Sequence, residues 1–239
     1  MSKAFSIQNL ERTAMVITTT DHGLLRLLQL SSVSLPVGGY AFSQGMEYAI
    51  DKGWVTKQAQ VADWTQLQLL QSLARVDLPV LRLAMAAWAQ RDEARIIELN
   101  DLILACRETK ELRLNDTAMG EALARLLRSL EIETPFVRLE DISFVVLFAI
   151  AATHWQVEFD SAALGFSWSW LENQIAAATK LVPLGQTQAQ LLLGELQPTL
   201  SEAIALSKTI DEDDIGAGLP AVAIASCLHE TQYSRLFRS

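Results

Sequence analysis

The stretch Phe144-Val145-Val146-Leu147-Phe148-Ala149-Ile150-Ala151-Ala152 decides the fold. It offers no polar face to water, yet it falls far short of the ~20 residues needed to cross a bilayer, so it reads as a helix buried on every side. A helix of that kind needs other helices around it, and the sequence on both flanks supplies them.

Upstream, Leu24, Leu25, Leu27, Leu28 and Leu30 make a helical apolar face that begins near Gly23 and is cut off by Ser31, Ser32, Ser34, Pro36, Gly38 and Gly39. A short helix is expected from about Ser43 to Ile50, ending before Gly53, and a longer one over Val61 to Val76, with Trp64, Leu67, Leu70 and Leu73 on one side. Asp77-Leu78-Pro79 reads as a restart, with Asp77 as cap and Pro79 in a first turn, leading through Val80, Leu81, Met85 and Trp88. Asp92 opens another helix, and further helical periods cover Ile96 to Leu104, Cys106 to Leu114, Thr117 to Leu130 and Leu139 to His154. Downstream come Ser161 to Ala178, Thr187 to Ser207 and Pro220 to His229, with Gly165 and Pro198 placed inside or at the start of longer helices. The separators are short, and no strand alternation or fixed repeat is found. The expectation is an all-α, single-domain antiparallel bundle of about ten helices over residues 23–229, with a loose N-terminal extension at 1–22 and a distinct C-terminal tail at 230–239.

Half of the 239 residues are apolar, enough for a large core, and 28 Asp and Glu against 19 Lys and Arg give a net charge of -9. That balance argues against a nucleic-acid footprint, which needs a basic face to neutralise phosphates. Cys106 and Cys227 form no CxxC pair and read as free thiols in a reducing cytoplasm. Met1 to Thr20 contains Glu11 and Arg12 and lacks the apolar segment of a secretory leader, and no membrane span is expected.

A search for catalytic or ligand-holding patterns returns fragments. The Gly38-Gly39 turn lacks the GxxxxGK[ST] sequence and the preceding strand that grip a triphosphate. Ser43 and Gly45 are half of a GxSxG elbow, but Ala41 stands where the first glycine belongs; the simpler reading is that Ser43 caps the helix carrying Glu47. His22, His154 and His229 have no ligand partner at i+4, so no closed metal site is encoded. His229-Glu230 could touch a passing divalent ion, although a lone histidine is more often structural. Asp211 to Asp214 reads as a solvated turn. In Arg107-Glu108-Thr109-Lys110-Glu111-Leu112-Arg113 only Arg107 and Glu111 are spaced as an i,i+4 pair, and in the less favourable order. Glu108 and Arg113 therefore either face water or meet groups elsewhere, a subunit boundary included. Lys180 to Gln186 reads as a helix end, with Pro183 and Gly185 preventing continuation.

The tail stands apart. In His229-Glu230-Thr231-Gln232-Tyr233-Ser234-Arg235-Leu236-Phe237-Arg238-Ser239, Tyr233, Leu236 and Phe237 fall at i, i+3 and i+4, and Arg235 and Arg238 add two cations. Such a tail either docks on another protein or packs back on its own domain. An enzyme constellation is absent from these readings, leaving a helical hydrolase or lyase built on Ser43 and Glu47 with a histidine as one rival, and a stand-alone helical adaptor as another.

Taken together and in order, Leu30 through Glu47, Asp77-Leu78-Pro79, Arg107 to Arg113 followed by Met119-Gly120, Lys180 to Gln186 and His229 to Ser239 resemble the urease accessory protein F (UreF) family. The resemblance runs from about Leu24 to the last residue. It implies an all-α, non-catalytic scaffold that assists nickel insertion into apo-urease, joins UreD/UreH, recruits the GTPase UreG and forms a homodimer. Nickel would pass through the complex transiently and no resident cofactor is implied. It further implies that Tyr233, Arg235, Leu236, Phe237 and Arg238 dock on UreD/UreH and become ordered with that partner. Lys180 and Gln186 would lie near the UreG surface. Glu47, Arg107, Glu108 and Arg113 match family motifs and would serve partner contacts, the fold or the nickel route. Lys110 stands where the family usually has Arg, which keeps the charge but loses the planar fork.

Overall fold

Residue 19 onwards, the chain winds into helix after helix. The structure, a computed structural model, describes residues 19–216 and 218–238. Its α-helices are α1 Asp21–Leu30, α2 Met46–Asp51, α3 Gln58–Gln68, α4 Leu78–Ala89, α5 Glu93–Ala105, α6 Lys110–Ser129, α7 Phe144–His154, α8 Phe159–Leu181, α9 Gln186–Ser207 and α10 Pro220–His229. Two short 3₁₀ turns, Gly39–Ala41 and Glu212–Asp214, and a π-helical segment, Leu69–Asp77, complete the set. Among the described residues there is no strand, and the all-α expectation stands.

Three boundaries differ from the sequence reading, each for a local reason. First, α1 begins two residues before Gly23, because Thr20 Oγ1 accepts the Gly23 N–H at 3.1 Å and Thr19 Oγ1 donates to Ser161 Oγ at 3.0 Å. The expected loose extension is thus fixed from residue 19, and its first eighteen residues lie outside the described ones. Second, Asp77 does not restart the chain. The helix runs unbroken from Gln58 to Ala89, and the wide π-turn, in which the Leu78 N–H bonds to Leu73 O five residues back, accommodates Pro79. Third, Cys106 to Leu114 and Thr117 to Leu130 are not two helices: the chain turns at Cys106–Thr109, and one long α6 follows, capped by Thr109 Oγ1 on the Leu112 N–H at 3.0 Å.

The decisive apolar stretch forms α7, and every residue from Phe144 to Ala152 is buried. It lies against α4 and α6, with α5, α8 and α1 completing its surroundings. Its N-terminus is fastened by Asp116 of α6, whose carboxylate accepts the Phe144 N–H at 2.8 Å and the Ser143 hydroxyl at 3.0 Å. A carboxylate there also meets the positive end of the helix dipole. Close approach of this corner to α6 requires Gly120, where a methyl group would overlap the Ile142 carbonyl oxygen. α8 and α9 run side by side, α9 covers the π-helical segment, and α10 crosses α2 and α6. Gly45 makes that crossing possible: it leads into α2 with φ of 83° and sits against Val222, Ala225 and Ser226 of α10.

Candidate functional site

The residues singled out by the sequence motifs gather where α2, the start of α6 and the end of α10 meet. His229, the last residue of α10, is fully buried between two carboxylates. Its Nε2 lies 3.0 Å from Glu47 Oε2 of α2, and its Nδ1 lies 2.9 Å from Glu111 Oε2 of α6. Glu47 also accepts two consecutive backbone N–H groups of the tail, Leu236 at 2.6 Å and Phe237 at 2.9 Å. Arg235 donates to Glu111 Oε1 at 3.1 Å. Burial pushes the Glu111 carboxyl above its ordinary range, against the opposing pull of His229 and Arg235.

The tail is therefore not a helical turn. Tyr233, Leu236 and Phe237 do not share a face: the backbone follows bends, Phe237 is 6% exposed, and Tyr233 is fully exposed. A carboxylate collecting two successive amides holds an open, nest-like backbone, which the interior of an α-helix cannot present because its amides are already paired. Beyond it, the Arg238 N–H bonds to Ala41 O at 2.9 Å, its guanidinium sits 5.7 Å from the Phe42 ring, and Lys180 Nζ lies 5.4 Å from the Phe237 ring. The alternative of a tail packed on its own domain describes its backbone and Phe237, while Tyr233 and Leu236 are exposed, as are Ile224 and Leu228 of α10.

The Arg107–Arg113 segment is used inside the chain. Arg107 forks between Asp116, with Nε to Oδ2 at 2.8 Å, and Asp77, with its terminal nitrogen to Oδ1 at 2.7 Å. Burial works against its charge, but Asp116 and Asp77 outweigh that and hold the guanidinium above its ordinary range. Arg113 donates to Leu104 O at 3.1 Å and to Asp141 at 3.3 Å. Of the alternatives left open for Glu108 and Arg113, Arg113 meets groups elsewhere in the chain, and the carboxylates that Arg107 and Arg113 reach lie in α6, in the π-segment and in the loop before α7. Glu108 is exposed, close to Gly218, and Gln186 is exposed at the start of α9. Glu108, Asp77 and Arg107 line a cleft of about 100 Å³ in which Asn115 Oδ1 and Gln174 Oε1 have no partner within the protein.

A serine hydrolase cannot be assembled here. Ser43 is buried and its Oγ accepts the Glu47 N–H at 3.4 Å, although the N-cap of α2 is Gly45 and not the expected Ser43, while both nitrogens of His229 are occupied by Glu47 and Glu111. Nor can His229 and its two carboxylates converge on one metal ion, since they bind opposite edges of the ring. Among the described residues no other group of three or more His, Cys, Asp or Glu side chains is arranged to hold one. Sequence reasoning missed Glu111 as a partner of His229; the one available signal was that both lie in the motif segments, separated by 118 positions.

An all-helical protein in which Glu47 and Glu111 seat its own tail, with Tyr233 and Leu236 left exposed, has the character of an interaction protein. Comparison with known proteins makes the class specific. The UreF family model matches residues 55–197. The urease accessory protein UreF of Marinomonas sp. (strain MWYL1) is 74% identical over 93% of this chain and 97% of its own length. Those of Hahella chejuensis and Alkalilimnicola ehrlichii are 48% and 46% identical, over 90% and 93% of this chain and 98% and 99% of theirs. The chain belongs to the UreF family, non-catalytic accessory proteins of urease maturation.

Proposed function

We propose that this protein is the scaffold that bridges UreD/UreH and the GTPase UreG during nickel insertion into apo-urease, and that it works in the cytoplasm. The observation that carries the reading is the manner in which the tail is held. Glu47 grips its backbone and leaves the side chains of Tyr233 and Leu236 exposed; Ile224 and Leu228 of the preceding helix are exposed as well, and Leu228 and Tyr233 line one groove. That is the composition of a docking surface for a protein partner, and UreD/UreH is its occupant. Lys180 and Gln186 flank the turn between α8 and α9, and UreG meets that turn. Because Lys180 lies over Phe237, the two partner surfaces adjoin.

The homodimer is supported by α1, whose Leu24, Leu25 and Leu28 side chains are 48%, 66% and 61% exposed on one helix of a chain that buries most of its leucines. Nickel is cargo in this scheme. The cleft beside Arg107, with amide and carboxylate oxygens but no closed ligand set, suits passage of an ion and not its storage. The test is co-purification with UreD/UreH and UreG of the full chain, of a chain ending at His229, and of Tyr233→Ala/Leu236→Ala. Both altered chains lose UreD/UreH while remaining helical; capture that persists in both overturns the reading.

A further inference from the structure

Four of the described residues that line the cleft carry charge: Arg107, Asp77, Asp116 and Glu108. Glu108 is exposed, whereas Arg107 is set between the two aspartates, 2.7 Å from Asp77 and 2.8 Å from Asp116, whose side chains are 7% and 5% exposed. Arg107 and Asp116 alone are balanced, so Asp77 is the residue that leaves the buried part of the cleft with a carboxylate in excess. Asn115 and Gln174 add buried amide oxygens that no group of the protein satisfies. Unsatisfied oxygens beside an excess carboxylate suit a cation with its water shell and repel an anion.

The position of Asp77 follows from the π-helical segment. Val61, Ala62 and Thr65 of α3 and Leu78, Val80 and Leu81 of α4 are buried, which fixes both ends of the long helix against rotation. Between them the Leu78 N–H reaches back five residues, so the turn holds one residue more than an α-turn. Were such bonds to reach back four, Asp77 would be turned by about 100° around the helix axis and would leave Arg107. We infer that the π-helical segment is the charge selector of the cleft: its wide turn aims Asp77 at Arg107, and the cleft thereby admits cations in preference to anions of the same size. The inference rests on the passage reading given above and names the residue that sorts the cargo by charge. Burial pushes the Asp77 carboxyl above its ordinary range against the pull of Arg107, so its ionisation is tested directly.

Cys106 is half-buried, lines the same cleft and serves as the probe. In the full chain carrying Cys227→Ser, the rate at which Cys106 reacts with a cationic methanethiosulfonate is compared with the rate for an anionic one of similar size, each relative to a free small thiol. The ratio is expected to favour the cation at least about threefold, and to fall at least about threefold in Asp77→Asn, whose amide oxygen still accepts from Arg107. Glu108→Gln lowers it less, because solvent screens that charge. Carbon NMR of the Asp77 carboxyl in the unaltered chain is expected to show it ionised at neutral pH. A parent without preference for the cation, a ratio unmoved by Asp77→Asn, or a protonated Asp77 overturns the inference, the first and last even should the variant fail to fold. Failure of the passage reading is distinct: a lowered ratio in Asp77→Asn, with urease still loaded with nickel at the parent rate in the presence of UreD/UreH and UreG, removes the route and leaves the charge assignment standing.

Discussion

Arg107→Ala removes the cation between Asp77 and Asp116 and leaves two carboxylates facing a low-dielectric interior, with side chains 7% and 5% exposed. Breaking a buried pair by deleting one partner costs about 3–5 kcal/mol, because the remaining charge is desolvated and uncompensated. Asp116 retains the Phe144 N–H and the Ser143 hydroxyl at the positive end of α7, so it is partly compensated. The greater penalty falls on Asp77, which places the loss near the lower end of that range, about 3 kcal/mol. With a urea slope of about 3 kcal/mol per molar for a chain of this size, the unfolding midpoint drops by about 1 M. Arg107→Lys keeps the charge but cannot fork between two acids and falls in between. Adding Asp77→Asn to Arg107→Ala removes the stranded charge and recovers roughly half of the loss, which a double-mutant cycle measures as coupling. A loss for Arg107→Ala below about 1 kcal/mol would refute the reasoning, since that is what a solvated surface pair gives.

Other changes read different parts of the molecule. Burial raises the Glu172 carboxyl above its ordinary value of 4.5, so its favourable contribution is complete below that value and is lost as pH rises through the higher folded-state value. Glu172→Gln therefore gains stability relative to the parent as pH climbs from about 4 towards 7, seen as diverging urea midpoints; parallel curves would contradict it. Gly120→Ala drives a methyl group into the Ile142 carbonyl and costs on the order of 1–3 kcal/mol of stability, read as a fall in Tm; an unaltered Tm would show that the α6–α7 corner yields freely. On the homodimer proposed above, Leu25→Glu, on the exposed face of α1, is expected to give a monomer in light scattering without loss of helical signal; a dimer that survives it is built on another face.

The helices themselves were legible because the signals that make them are local. Ser143 before Phe144, Asp92 before Glu93 and Pro220 at the head of α10 act within a turn of where they stand. The misread boundary at Asp77 shows the limit of that locality. Asp77 with Pro79 two residues on has the pattern of a start, yet the π-turn lets the helix run on and turns the carboxylate to Arg107, 30 positions away. Six residues named from the motifs do lie together, Glu47, Lys180, Arg235, Leu236, Phe237 and Arg238, through side chain or backbone, because the tail returns to the helix carrying Glu47.

By itself the sequence determined the all-helical architecture, the buried character of α7 and, through its motifs, the family. Only the tertiary structure decided what Glu47, Glu111 and His229 do. Spacing along a chain governs which groups share a helix face, whereas a charge set spread over 182 positions is defined by where the packed core leaves its polar ends, and no local period encodes that.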